Sequence, residues 1–355
     1  MERYINSFAT ENDILTALEN GELLKPYVAY IEDADRIDWN SKEIVDYTTE
    51  YLTFNILSAG TINWTASNTN VTKTIDYKLN NGEWVSITST TTGAKINVNT
   101  GDKIQFRGNN AAYGISGFEP KSSTFSGSTA GFEVEGNIMS LINSTDFSTL
   151  TTLDSTYTFV NLFSNCTGLT SAKNLILPAT TLAMGCYWDM FAGCTSLITA
   201  PALPANSLAR ECYDSMFQNC KSLTTAPSLP ATTLAMYCYY QMFDGCTSLT
   251  AAPALPATTL ASGCYNSMFQ NCKSLTTAPE LPATTLIGYC YQGMFNDCKN
   301  LNYIKCLATD ISAERCTNFW AQGVAATGTF VKAAGMTSWP TGSDGIPTNW
   351  TVQDA

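Results

Sequence analysis

Apolar and polar positions follow two different rhythms along this chain. Between residues 51 and 107 they alternate. The segments 51–57, 61–65, 74–79, 83–88, 95–99 and 103–107 each put apolar side chains on one side and polar ones on the other, which predicts short half-buried strands. Asn80-Asn81-Gly82 and Thr100-Gly101-Asp102 supply turns between them. With further strands expected at 123–126 and 131–134, the spacing predicts a small β-sandwich over 48–145.

From residue 146 the alternation gives way to a long repeat. Cys186, Cys212, Cys238, Cys264, Cys290 and Cys316 stand 26 residues apart, and so do Cys194, Cys220, Cys246, Cys272 and Cys298. Met-Phe pairs at 190–191, 216–217, 242–243, 268–269 and 294–295 share that spacing. The unit reads C-Y-x-x-M-F-x-x-C-x-S-L-T-x-A-P-x-L-P-A-T-T-L-A-x-x, with a partial copy 28 residues upstream at Leu162-Phe163 to Cys166. A period of 52 lies on top, since 215–227 and 267–279 both read SMFQNCKSLTTAP. One unit cannot bury its own apolar side, so successive units are expected to stack over 146–327, with an atypical closing segment at 328–355. Within each unit, Cys, Met-Phe and Cys at i, i+4, i+5 and i+8 predict a short helical turn. The S-L-T-x-A-P stretch is expected to be extended, because proline cannot continue a helix.

The aromatic-x-x-Cys-x-x-Leu core at 191–197, 217–223, 243–249, 269–275 and 295–301 resembles the leucine-rich repeats of bacterial surface proteins of the BspA type. The unit here is longer by the C-Y turn. This resemblance implies a leucine-rich-repeat solenoid; with an N-terminal helix and strand arm (1–47), the sandwich and a C-terminal cap, the expected fold is mixed β and α/β. The thirteen cysteines then read first as buried small hydrophobes. Disulfides between or within coils stay open as an alternative. A zinc site is disfavoured, because the chain has no histidine and the eight-residue Cys spacing is not that of a zinc hairpin. Cys306 stands off register and is expected to be the exposed thiol.

Charge narrows the partners. Only 14% of the residues are charged, the net charge is −12, and no basic cluster exists, so nucleic acid is excluded as a partner. Residues 1–50 carry twelve carboxylates against four basic residues, a balance of −8. Thr10-Glu11-Asn12-Asp13 predicts a capped helix to about Glu19, followed by a strand at 26–31 and a solvated acidic connector at 32–38. Met1–Thr10 has no basic region followed by an apolar run, and no stretch approaches a membrane span, which predicts assembly in a cytoplasm without membrane insertion.

The layout is also similar to virion proteins of tailed phages of gut Bacteroidales. The likeness is carried by the MERYINSFATENDILTALENGELLKPYVAYIED opening, GDKIQFRG at 101–108, the MF-x-x-C repeats and the GIPTNWTV ending. It implies a capsid, tail-fibre or decoration protein, held to other virion proteins through the N-terminal segment and presenting its repeats to a host protein or glycan. A bacterial cell-surface adhesin and a polysaccharide-degrading spike are the alternatives, and homo-oligomer formation stays open.

No enzyme, cofactor or metal is expected. Without histidine there is no Ser-His-Asp or Cys-His machinery. Carboxylate pairs for glycoside hydrolysis would have to come from Glu133 with Glu135, or from Asp189, Asp214 and Asp244, which read as surface decoration at variable slots. A binding face fits better. The slot after C-Y and the slots before it vary while the framework repeats, and Trp188, Tyr237, Tyr240 and Tyr289 in them are candidates to stack on sugar rings. Covering a neighbouring coil is the competing role for the same four rings.

Overall fold

The alternating segments form nine strands: β3 (Leu52–Ser58), β4 (Gly60–Ala66), β5 (Thr74–Leu79), β6 (Val85–Thr88), β7 (Ala94–Val98), β8 (Lys103–Arg107), β9 (Gly114–Ile115), β10 (Lys121–Thr124) and β11 (Gly131–Asn137). The structure, a computed structural model, describes residues 47–115, 117 and 121–355, with the backbone of a short antiparallel pair, β1 (Ile37–Asp38) and β2 (Glu43–Ile44). The helix and strand expected at 10–31 lie outside the described residues.

β12 (Leu169–Ile176) joins β11 in parallel and completes an open six-stranded sheet, β12-β11-β3-β8-β5-β6. A second open sheet has the order β7-β4-β10-β9. Phe125, just past β10, links their apolar sides. Its ring lies 4.8 Å from Phe54, 4.9 Å from Phe106 and 4.8 Å from Trp64, all fully buried.

The expected mixed β and α/β class with a leucine-rich-repeat solenoid is overturned. Among the described residues there is no α-helix, only short 3-10 turns, and the regular strands gather in open sheets. The third of these sheets is parallel, β13 (Tyr303–Cys306), β14 (Thr329–Lys332) and β15 (Thr351–Asp354). Between Ile176 and Tyr303 the repeats contain neither helix nor strand. The C-Y-x-x-M-F-x-x-C stretch has a period of four residues rather than the 3.6 of an α-helix, and its backbone shows why. Every fourth residue has a positive φ: Gly185, Asp189 and Gly193 in one unit, then Glu211, Ser215 and Asn219, then Tyr237, Gln241 and Gly245.

Backbone hydrogen bonding alternates along this stretch. The amides of Gly185, Tyr187, Asp189, Phe191 and Gly193 donate to the carbonyls of Arg210, Cys212, Asp214, Met216 and Gln218, one unit further on. The intervening amides of Cys186, Trp188, Met190, Ala192 and Cys194 donate three residues back within the same unit. Every amide and carbonyl is thereby used, half within the coil and half between coils, and no set remains for an α-helical ladder. Two residues point inward and two outward in each four-residue turn.

The inward residues stack in columns. Tyr187, Tyr213, Tyr239, Tyr265 and Tyr291 lie 5.7–6.0 Å apart, nearly parallel. Phe163, Phe191, Phe217, Phe243, Phe269 and Phe295 stack at 5.3–5.9 Å. Both columns run on without a gap. At one end Phe163 stacks on Phe125; at the other Tyr291 stacks on Trp320, and Trp320 on Trp339. Trp339 and Trp350 are thus buried in the closing segment.

All thirteen cysteines are buried free thiols. Cys194, Cys220, Cys246, Cys272 and Cys298 each donate to the carbonyl of a Phe in the preceding coil, at 2.9–3.2 Å. Burial pushes the Cys194 thiol up to about 12, which keeps it protonated and able to donate. The expectation that Cys306 is exposed is also wrong: it is 0% exposed, because β13 turns Ile304 and Cys306 inward.

A parallel bridge ladder runs down another side through Ser171, Thr199, Thr225 and Ala251, and again through Thr277 and Tyr303 to β14. Where the residue two positions on is proline (Pro201, Pro227, Pro253, Pro279), the ladder is interrupted after one bridge, since proline has no N–H to donate; past Pro279 it resumes at Leu281, which bridges to Cys306. Where it is Lys305 or Val331, the pairing extends into β13 and β14, whereas β12, which carries Lys173, owes its length to its pairing with β11.

Phe243 lies between two equivalent rings and is fully buried. Phe243→Ala is expected to cost about 3–5 kcal/mol in denaturant unfolding. A loss below about 1 kcal/mol would contradict the continuous column.

Candidate functional site

The three outward pairs of each unit form a grid, because the inter-coil bonds hold equivalent positions in line. The three columns of positive-φ residues on this face differ in composition. The third holds Asn165, Gly193, Asn219, Gly245, Asn271, Asp297 and Gly323, all types that tolerate the left-handed region. The first holds Tyr157, Gly185, Glu211, Tyr237, Gly263, Tyr289 and Arg315. A left-handed backbone at a Tyr, Glu or Arg costs on the order of 1 kcal/mol relative to glycine. The third column follows backbone need, whereas the first does not.

The four predicted rings are all half-buried on this face. Tyr237 and Tyr240 come together edge-to-face at 5.7 Å. Trp188 sits two coils before Tyr240 in the same column and packs at 6.3 Å against Tyr157. Tyr289, two coils beyond Tyr237, donates from its hydroxyl to Glu314 at 2.8 Å and stands apart from the other three. The covering role is real for some of them. The Tyr237 ring lies over Gly263 of the next coil, where a Cβ would fall 2.1 Å from its Cε1; Tyr157 lies over Gly185 in the same manner. Glycine in one coil makes room for a ring from the coil before it.

Between Trp188 and Tyr240, in the same column, stands Asp214. Reading it as solvent decoration is incorrect: flanked by two large rings, it is only 5% exposed. Its Oδ1 accepts from Ser215 Oγ at 2.7 Å, and its Oδ2 meets no donor among the described residues. Asp189, one coil earlier, has no hydrogen bond or ion pair to its carboxyl among them. Loss of hydration raises Asp189 to about 7. Asp214 rises to about 8, first through burial, opposed by Ser215 and reinforced by the charges of Asp189 and Glu211. Arg210 is engaged with Glu211 at 2.9 Å. Asp244 accepts from Asn271 at 3.0 Å and Gln218 at 3.2 Å; burial also raises it.

Sequence reading brought together Trp188, Tyr237 and Tyr240 but missed Tyr157, which precedes the recognisable part of the first repeat. It weighed Asp189, Asp214 and Asp244 as carboxylates for hydrolysis and read them as surface decoration at variable slots. Their neighbourhood follows from a 25-residue step in the hydrogen-bond ladder, which becomes visible only when Trp188, Asp214 and Tyr240 are aligned in one slot. Glu133 and Glu135 share one side of β11, and Glu135 pairs with Lys103 at 3.0 Å. Among the described residues no cluster of three metal-ligating side chains occurs, and no helix is long and apolar enough to cross a membrane. The chain matches no family model, no curated protein and no solved structure.

The folded state holds protons on Asp189 and Asp214 that the unfolded chain, with carboxyls near 3.8, has already lost. Stability from this pair is therefore greatest at low pH and declines as pH rises from about 4 to about 8. The thermal midpoint of the Asp189→Asn/Asp214→Asn double variant should fall less steeply than wild type between pH 5 and pH 8. Parallel slopes would contradict the assignment.

Proposed function

We propose that this is a structural, decoration or fibre protein of a tailed-phage virion, which binds the host surface through the outward turn face of its repeats. The observation that carries a binding role is the contrast between columns. Buried Tyr, Phe, Met and Cys repeat nearly without change, and the third left-handed column keeps Gly, Asn or Asp. The first column instead carries Tyr157, Glu211, Tyr237 and Tyr289 at backbone positions that favour glycine. Such side chains are retained at a cost to stability, as expected of residues that contact something outside the chain.

A stack of coils hydrogen-bonded through the backbone also suits display. Equivalent positions stay in line, so rings two coils apart keep a fixed separation. The virion setting rests on the sequence resemblance. It assigns the acidic N-terminal segment to contacts with other virion proteins and the repeats to a host protein or glycan.

Immunogold labelling of purified particles with antibody against residues 146–355 tests the setting. Label on capsid or tail is the expected result. Label confined to bacterial envelopes would replace it with a cell-surface adhesin.

A further inference from the structure

Along the stack, the outward face changes character. In its first two columns of pairs, the coil of Cys212 carries Arg210, Glu211 and Asp214, and the coil of Cys316 carries Glu314 and Arg315. The coils of Cys238, Cys264 and Cys290 between them hold no charged residue in these two columns. Tyr237 and Tyr289 stand two coils apart in this uncharged window, both at left-handed positions, with φ of 55° and 64°. The Tyr237 ring lies along the stack with one face down on Gly263 of the next coil, and the residue is only half-buried. Tyr289 leans the same way, its hydroxyl reaching Glu314 of the following coil at 2.8 Å.

Polar groups flank this row. Asn266 donates to the side-chain oxygen of Gln292 at 3.2 Å and accepts from Ser267 at 2.9 Å. Amides oriented in this way keep further donors and acceptors for a ligand. On the other flank are Ser262 and Gly288. Gly288 has no positive φ, and a Cβ there would meet only the Glu314 carbonyl oxygen, at an ordinary contact of 3.5 Å. Neither backbone nor packing requires glycine, and the equivalent position holds Met184, Arg210 and Met236 in other coils. The missing side chain keeps the space beside Tyr289 open.

An aromatic face takes the apolar C–H side of a pyranose, and amides take its hydroxyls; neither contact needs a charge. Rings in line at every second coil suit a chain that offers the same side at every second sugar. A β-1,4-linked chain does so, because it is extended, alternate sugars are flipped, and each sugar advances by roughly the 5 Å spacing of hydrogen-bonded strands. An α-1,4-linked chain curls out of line. A polyanionic chain is repelled by a protein of net charge −12.

We infer that the window from Tyr237 to Gln292 binds a neutral β-1,4-linked pyranose chain lying along the coil stack. Tyr237 and Tyr289 carry sugars two apart, and Asn266 and Gln292 take hydroxyls. The inference rests on the binding role proposed for the repeat face and commits that face to a glycan.

The experiment is calorimetric titration of the full chain with cellohexaose, mannohexaose and chitohexaose. Maltohexaose controls for linkage and hexamannuronate for charge. At least one neutral β-1,4 hexasaccharide should bind at least tenfold more tightly than both controls, and the tightest assigns the sugar. Tyr289→Gly should weaken that binding at least tenfold while the thermal midpoint holds or rises, because a left-handed position suits glycine. A falling midpoint with unchanged affinity would mark the ring as structural and overturn the inference. Gly288→Met, which the backbone accommodates, should weaken binding at least tenfold by filling the open space, and it decides the point if the Tyr289 variant unfolds. Full affinity in Gly288→Met, no binding of any β-1,4 hexasaccharide, or equal binding of the controls overturns the inference. Labelled particles whose adhesion survives periodate treatment of host cells and is lost on protease treatment would indicate a host protein, removing this inference and leaving the attachment reading. Label confined to bacterial envelopes, with glycan binding intact, would remove the virion setting and leave this inference standing.

Discussion

The architecture depends on an alternation in backbone hydrogen bonding: one amide bonds three residues back, the next bonds to the following coil. From Gly185 to Cys194 this rule has no exception, and it recurs in the next unit from Glu211 to Cys220. It uses each peptide group once, inside a stack where water cannot substitute. It also fixes the repeat length, because the donors at 187, 189 and 191 must find 212, 214 and 216. Inserting or deleting a residue within the C-Y-x-x-M-F-x-x-C stretch would turn one residue of each inward pair outward and exchange the donors that bond within the coil with those that bond between coils.

The same constraint explains residues that composition alone leaves arbitrary. A left-handed residue must recur every fourth position, so Gly, Asn and Asp fill the third column. Cysteine suits the inner corner because it is small, apolar when protonated, and able to donate weakly to the Phe carbonyl of the preceding coil. Stacked rings then transmit the 26-residue register from the Phe125 core to Trp320 and Trp339, so the N-terminal sheets and the closing segment share one hydrophobic core.

Much of this was legible in the sequence. The strands from 52 to 107 lie where two-residue alternation places them, and the framework columns were visible as a 26-residue period. Hydrogen-bond partnership was hidden. Cys, Met-Phe and Cys at i, i+4, i+5 and i+8 satisfy a helical face almost as well as a four-residue turn, and only the recurrence of Asn219, Gly245 and Asn271 in one slot points to the latter. Proline at 201, 227, 253 and 279 marked the extended segments, but not that Lys305 and Val331 in the same slot would release true strands. The site was half legible: the rings stood out, whereas burial of Asp214 depends on which side chains precede and follow it by 26 residues.

A face assembled this way has little freedom to adjust, since each outward residue is held by one backbone bond within its own coil and one to a neighbouring coil. Variation at Trp188, Asp214 and Tyr240 changes what the face offers without changing how it is held. The alternation itself can be read directly from through-hydrogen-bond couplings between amide nitrogen and carbonyl carbon in the labelled, deuterated protein. Couplings from Tyr213 to Cys238 and from Phe217 to Met242, with none from Tyr213 or Phe217 to a residue four positions back, are the predicted result. Couplings four residues back through these stretches would mean an α-helix and would contradict the account.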